Sequence, residues 1–152
     1  MRASLDAAAG IRILIVADHF IVRMGLKGVL NMQPDMRVVA EAEDGAEAIR
    51  RFREERPDVA LVDLRMPGMA GTDAIAAIHA EFPEARLIAM SAFDGDDLVH
   101  RAFQAGARGY LPKKVPGEEL LKAIRGVHAG RRYVPEDIGG RLADFFHRTV
   151  EP

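Results

Sequence analysis

Two rhythms of apolar residues alternate along the chain from Ile11 to His128. IRILIV, MRVVAEA, DVALVD, ARLIAM and ARGYL are apolar runs of strand length. The stretches between them carry apolar residues near helical spacing. Phe20 to Met32 sets Ile21, Met24, Leu26, Val29 and Leu30 in that pattern. A second helix is predicted from Gly45 to Glu55, stopped before Pro57. A third runs over residues 71 to 81, with Ile75 and Ile78 inward. A fourth runs from Asp94 to Ala105 and is closed by Gly106. A fifth runs from Pro116 to His128, with proline at its start and Gly130 beyond its end.

The pattern is therefore strand then helix, repeated five times in about 120 residues. Strands covered on both faces read as continuous apolar runs, as these do. Right-handed crossovers then put helices on both faces of a parallel sheet. A doubly wound α/β domain over residues 11–130 follows, with its strand order left open by periodicity alone. Ligands of such sheets sit beyond the carboxyl ends of the strands, where the order reverses. Residues 1–10 read as a flexible lead without the apolar core of a signal peptide. Arg131 to Val134 reads as a connector. Pro135 to Arg148 places Ile138, Leu142, Phe145 and Phe146 on one helical stripe, weakened by Gly139 and Gly140. That stripe needs a surface to cover, on this domain, a partner subunit or a further domain.

Composition narrows the function classes. At 152 residues the chain is the size of one ordinary domain. Its formal net charge of −2 argues against a DNA-binding surface of its own. With no cysteine there is neither disulfide nor thiolate chemistry, which fits a reducing, cytoplasmic setting. No apolar run reaches the roughly 18 residues of a membrane span. His19, His79, His100, His128 and His147 show no close ligand spacing of the HExxH kind, which argues against zinc. His19 reads first as a helix-start residue, beside the crevice at most. Asp94, Asp96 and Asp97 suit a helix N-terminus, where acids favour the dipole. Gly106 and Gly109 make no nucleotide fingerprint.

The carboxyl ends of the strands carry the candidate chemistry. The first strand runs into Asp18, the third ends in Asp63, the fourth runs into Ser91, and the fifth is followed by Lys113. Two carboxylates at one crevice are costly without a cation. Mg²⁺ meets that cost with hard oxygen ligands, and the backbone carbonyl of Arg65 could be a third protein donor. Asp63 can then act as a nucleophile on phosphorus. Lys113 and the ion would neutralise the transferring oxygens, and Ser91 could hydrogen-bond one of them. Each type also has an ordinary use. Aspartates end strands as turn or cap residues, Ser91 can cap a helix, Lys113 can be a surface lysine, and Tyr110 a partly buried aromatic. The four coincide at equivalent strand ends, and that coincidence favours a phosphoryl site.

These stretches resemble a known family. IRILIVADH, PDVALVDLRMPGMAGTDAI, RLIAMSAFD and AGARGYLPK followed by EELLKAIRGVHAG are similar to the receiver domain of bacterial two-component response regulators, of the NarL/FixJ (LuxR-type) group. The resemblance implies a flavodoxin-like sheet of order 2-1-3-4-5 and a C-terminal linker helix. It implies Asp63 as phosphoacceptor, Asp18 and the Arg65 carbonyl as Mg²⁺ ligands, Ser91 as switch hydroxyl and Lys113 as the family's lysine. Tyr110 matches the aromatic whose rotamer follows phosphorylation. A sensor histidine kinase as donor, homodimerisation on activation and transcriptional output are implied too. DNA would be reached only through a helix-turn-helix domain beyond residues 131–152 and absent from this chain.

Two positions depart from that pattern. Where the family has two adjacent acids, this chain has Ala17 and then Asp18. Lys114 stands where members of the group often carry an acid. Arg65 and Phe93, each two residues beyond a site residue, are large enough to obstruct an attacking water and slow loss of the phosphoryl group. Ala17 leaves room for a pseudo-receiver, an interaction module that keeps the fold without phosphorylation. A Mg²⁺-dependent phosphohydrolase or flavin protein of similar fold is the other alternative. It lacks a second acid–base residue near Asp63.

Overall fold

The computed structural model describes residues 10–92 and 96–134. The lead up to position 9, Phe93, Asp94 and the helix expected over 135–148 lie outside the described residues. In chain order the elements are β1 (Ile11–Val16), α1 (Phe20–Asn31), β2 (Met36–Ala42), α2 (Gly45–Glu55), β3 (Val59–Asp63), α3 (Gly71–Glu81), β4 (Leu87–Ser91), α4 (Asp96–Ala105), β5 (Gly109–Pro112) and α5 (Gly117–His128). All strand pairs are parallel, and the sheet order is β2-β1-β3-β4-β5. The order expected from the resemblance is thus the one observed.

Strand alternation divides the core in two. Ile13 and Ile15 of β1, Val59 and Leu61 of β3, Ile88 and Met90 of β4 and Leu111 of β5 pack with Leu30 of α1 and Leu120, Ile124 and Val127 of α5. Their neighbours Leu14, Val16, Ala60, Val62, Leu87, Ala89 and Tyr110 pack with Phe52 of α2, Ile75 and Ile78 of α3 and Val99 and Phe103 of α4. A period of two sends successive side chains to opposite faces, so each strand feeds both layers. Each fully buried Leu or Ile contributes about 1.5–3 kcal/mol of transfer free energy.

Local chemistry sets the helix ends. Asp44 caps α2 by accepting from Glu47 N at 2.8 Å, while Glu47 Oε1 accepts from Glu43 N at 2.8 Å. The first bond satisfies a donor that the helix start leaves open, and the second holds the residue before the cap. Gly106, at φ +127°, closes α4, and a Cβ there would lie 2.5 Å from His79 Cγ.

Two segments differ from their sequence reading. On α1, Ile21, Met24 and Val29 of the expected stripe are exposed, as are Phe20 and Met32. The inward positions are Leu30, half-buried Leu26 and, unexpectedly, Arg23. Residues 131–134 form more than a connector. Tyr110 N donates to Tyr133 O and Tyr133 N to Arg108 O, both at 3.0 Å, which lays this segment along the free edge of β5. The Tyr133 hydroxyl donates to Glu119 of α5. Burial, and then this carboxylate, push the phenol up to about 12.

Candidate functional site

The sheet order reverses between β1 and β3, so a crevice opens where their carboxyl ends diverge. Asp63 closes β3 and is fully buried, one of three buried polar or charged side chains among the described residues, with Arg23 and Ser91. Its Oδ1 accepts from Arg65 N at 3.0 Å. Its Oδ2 lies 2.7 Å from Lys113 Nζ. That contact is an ion pair without hydrogen-bond alignment, so Oδ2 keeps an unused acceptor direction. An ion pair this buried persists only with good geometry and further partners.

β5 delivers Lys113 to this point. Ser91 pairs in register with Pro112, and Lys113 N donates to Ser91 O at 2.9 Å. Ser91 ends β4 one strand from Asp63, which itself pairs with Met90. Tyr110 is fully buried on the α2–α4 side of the sheet.

Asp18 follows β1 across the crevice. Asp18, His19 and Asp63 each present a ligand atom, all within 4.8 Å of one another. Asp18 Oδ1 is buried and has no hydrogen bond, although His19 Nδ1 lies 3.2 Å away. His19 occupies the N-cap of α1, as its sequence position suggests, and also touches the crevice. Two buried carboxylate oxygens without hydrogen bonds, facing one crevice, suit a hard cation, and this donor set fits Mg²⁺.

The loop from Leu64 to Ala70 forms the rim. Gly71 opens α3 directly behind Asp63, and its N donates to Leu64 O at 3.1 Å. A Cβ on Gly71 would lie 2.3 Å from Asp63 O and 2.5 Å from Leu64 Cα. The backbone of Asp63 and the helix start therefore touch.

The fold brings Asp18, Asp63 and Lys113 together, sets Ser91 on the adjoining strand end and turns the Arg65 amide onto Asp63. Sequence reading missed Arg23. It is 6% exposed and donates from Nη1 to Ala17 O at 2.6 Å. Its only sequence signal is a charged residue inside a helix with more apolar positions than one face can bury.

The response regulator receiver domain family matches residues 13–125. The oxygen regulatory protein NreC of Staphylococcus epidermidis is 40% identical over 136 residues, 89% of this chain and 62% of that protein. The chain thus spans less than two thirds of the length of this relative. The crystal structure of a LuxR-family two-component response regulator from an Aurantimonas species superposes with a TM-score of 0.83 at 38% identity, over 92% of this chain and 98% of that one. The signal receiver domain of NarL from Mycobacterium tuberculosis gives 0.77 at 38% identity, over 80% and 98%. Among the described residues no helix is long and apolar enough to cross a membrane.

Proposed function

This chain belongs to the response regulator receiver family, and from that premise we propose that Asp63 accepts a phosphoryl group from a phosphohistidine of a sensor kinase. The buried Asp63 carboxylate, 2.7 Å from the Lys113 ammonium, carries the reading. An Asp63 oxygen attacks phosphorus in line. The P–N bond breaks, a P–O bond forms, and the leaving imidazole takes a proton. Lys113 holds charge against the transferring oxygens, and the Ser91 hydroxyl donates a hydrogen bond to one of them. Receivers hold Mg²⁺ in an acidic pocket. Here Asp18, Asp63 and the Arg65 carbonyl would be its protein ligands, and when bound it supplies further neutralisation of phosphoryl charge. Asp63 reacts once per transfer, so the chain is a switch whose only turnover is slow loss of its own phosphoryl group.

Phosphorylation then biases two packings of Ser91 and Tyr110 and the face made by α4, β5 and α5. The buried Tyr110 ring is one end of that equilibrium. Dimerisation and transcriptional control through a domain following residues 131–152 are the proposed output. Incubation with acetyl phosphate and Mg²⁺ followed by intact mass tests the reading. A gain of one phosphoryl group supports it. No gain, from acetyl phosphate or from a kinase, supports a pseudo-receiver. Phosphate released far beyond one equivalent supports a hydrolase.

Ala17 should weaken the ion's hold. Ala17→Asp is expected to tighten Mg²⁺ binding about tenfold, the usual scale for an outer ligand, as read by calorimetric titration. Equal affinities would remove Ala17 as a determinant.

The solvent-facing side of α1 adjoins the crevice. Phe20, Ile21 and Met24, exposed by 61, 76 and 54%, follow directly on Asp18 and His19. Contiguous exposed apolar residues mark contact sites. A donor that reaches Asp63 must pass this edge, so the kinase is expected to rest there. Ile21→Glu should slow transfer from a sensor kinase that phosphorylates the wild type by about tenfold, since a buried unpaired charge opposes docking. Uptake from acetyl phosphate should stay within about twofold. Equal slowing of both reactions would place the damage in the site and not in docking.

A further inference from the structure

Arg23 is the buried charge that the phosphoryl-transfer scheme leaves without a task. It lies on α1, one turn beyond Asp18 and His19, and is 6% exposed. Nη1–H donates to the backbone oxygen of Ala17 at 2.6 Å, across six residues. Nε lies 3.4 Å from Glu41 Oε1, and Nη2 lies 3.5 Å from Glu43 Oε1. The Phe20 ring covers the guanidinium, 5.9 Å from its carbon. Glu41 also pairs with Lys27 at 3.1 Å, and Glu43 N is held by Glu47 Oε1. One planar fork thus ties together three places at the carboxyl end of the sheet. These are the turn after β1, the end of β2 and the first turns of α1.

We infer that Arg23 is a positioning residue for the cation site, acting through Ala17 O to hold the turn that presents Asp18. Among the described residues, few other contacts hold Asp18. Its Oδ1 makes no hydrogen bond, and its near neighbour His19 has a side chain 67% exposed. With alanine at position 17, Asp18 is the sole acid of that turn. Error in its placement is not shared with a second carboxylate. Groups that orient a ligand without touching the metal govern affinity strongly. A lysine would carry the charge but could not reach three oxygens in one plane.

Two effects of Arg23 oppose each other, which makes the test decisive. As a cation near a cation site it repels Mg²⁺, and Glu41 and Glu43 offset much of that charge. As a tether it lowers the cost of organising Asp18. The tether outweighs the repulsion.

The inference rests on the crevice being an Mg²⁺-dependent phosphoryl acceptor, so the experiment separates the two. The full chain is compared with Arg23→Gln and Arg23→Lys. Three readouts are used: amide exchange at Asp18 and His19 without metal, Mg²⁺ titration followed by amide NMR shifts, and acetyl phosphate uptake against Mg²⁺ concentration. In Arg23→Gln, exchange at the two amides should quicken. The half-saturating Mg²⁺ should rise about tenfold, while the limiting rate at saturating Mg²⁺ stays within about twofold. Arg23→Lys should fall between the two, and it carries the test if the glutamine variant does not fold. Unchanged half-saturation, or tighter binding on loss of the charge, overturns the inference. If the wild type neither binds Mg²⁺ nor takes a phosphoryl group, the reading of the crevice fails. Exchange then decides alone, and unchanged amides overturn the tether.

Discussion

Asp63→Asn gains no phosphoryl mass from acetyl phosphate or from a kinase, while its fold persists. The substitution keeps an oxygen that can accept from Arg65 N, now 3.0 Å from Asp63 Oδ1. It removes the anionic nucleophile, and an amide does not form the acyl phosphate. It also removes one of two carboxylates brought within 4.8 Å. Loss of that repulsion opposes loss of the Lys113 pair, so thermal stability should shift by no more than about 1–2 kcal/mol. Mg²⁺ binding weakens because a neutral oxygen replaces a charged one. Intact mass spectrometry reads the first outcome and thermal melting the second. Phosphoryl incorporation in the variant at the wild-type rate would move the acceptor elsewhere.

Gly71→Ala is the second large effect, and it acts through the backbone. The added Cβ would lie 2.3 Å from Asp63 O and 2.5 Å from Leu64 Cα. Neither atom belongs to a side chain that can swing aside, so α3 or the end of β3 must move. Overpacking of this kind costs about 1–3 kcal/mol and occasionally more. For a chain of this size each kcal/mol lowers the melting temperature by about 2–4 °C. A fall of roughly 2–12 °C is therefore expected. The displaced segment carries Asp63, so phosphoryl uptake should drop more than tenfold at temperatures where the variant is folded. Gly126→Ala is the matched control. It lies within α5 with nothing within 4 Å of its Cβ position, and should stabilise the fold by up to about 1 kcal/mol. Equal melting of the two variants would show that the contact behind Asp63 relaxes freely.

Periodicity along the chain carried most of the architecture. The five strands and the end of α2 follow from apolar runs and Pro57. These are local signals, since a strand buried on both faces has few polar positions. Asp18, Asp63, Ser91 and Lys113 were legible because each falls at the carboxyl end of a strand. A parallel sheet gathers all such ends on one edge. Stripes on helices were less reliable. α1 has more apolar residues than its contact with the sheet can cover, and spacing alone could not say which would stay outside.

The sequence by itself determined the element order, the doubly wound class and the residue types of the candidate phosphoryl site. Only the tertiary structure decided that Arg23 turns inward, that Ile21 and Met24 face solvent, and that residues 131–134 run along β5. It also decided that Lys113 closes to 2.7 Å on Asp63. The division has one physical cause. Strand alternation and caps depend on neighbours in sequence. The facing of a helix and the meeting of two distant side chains depend on surfaces that exist only once the sheet has formed.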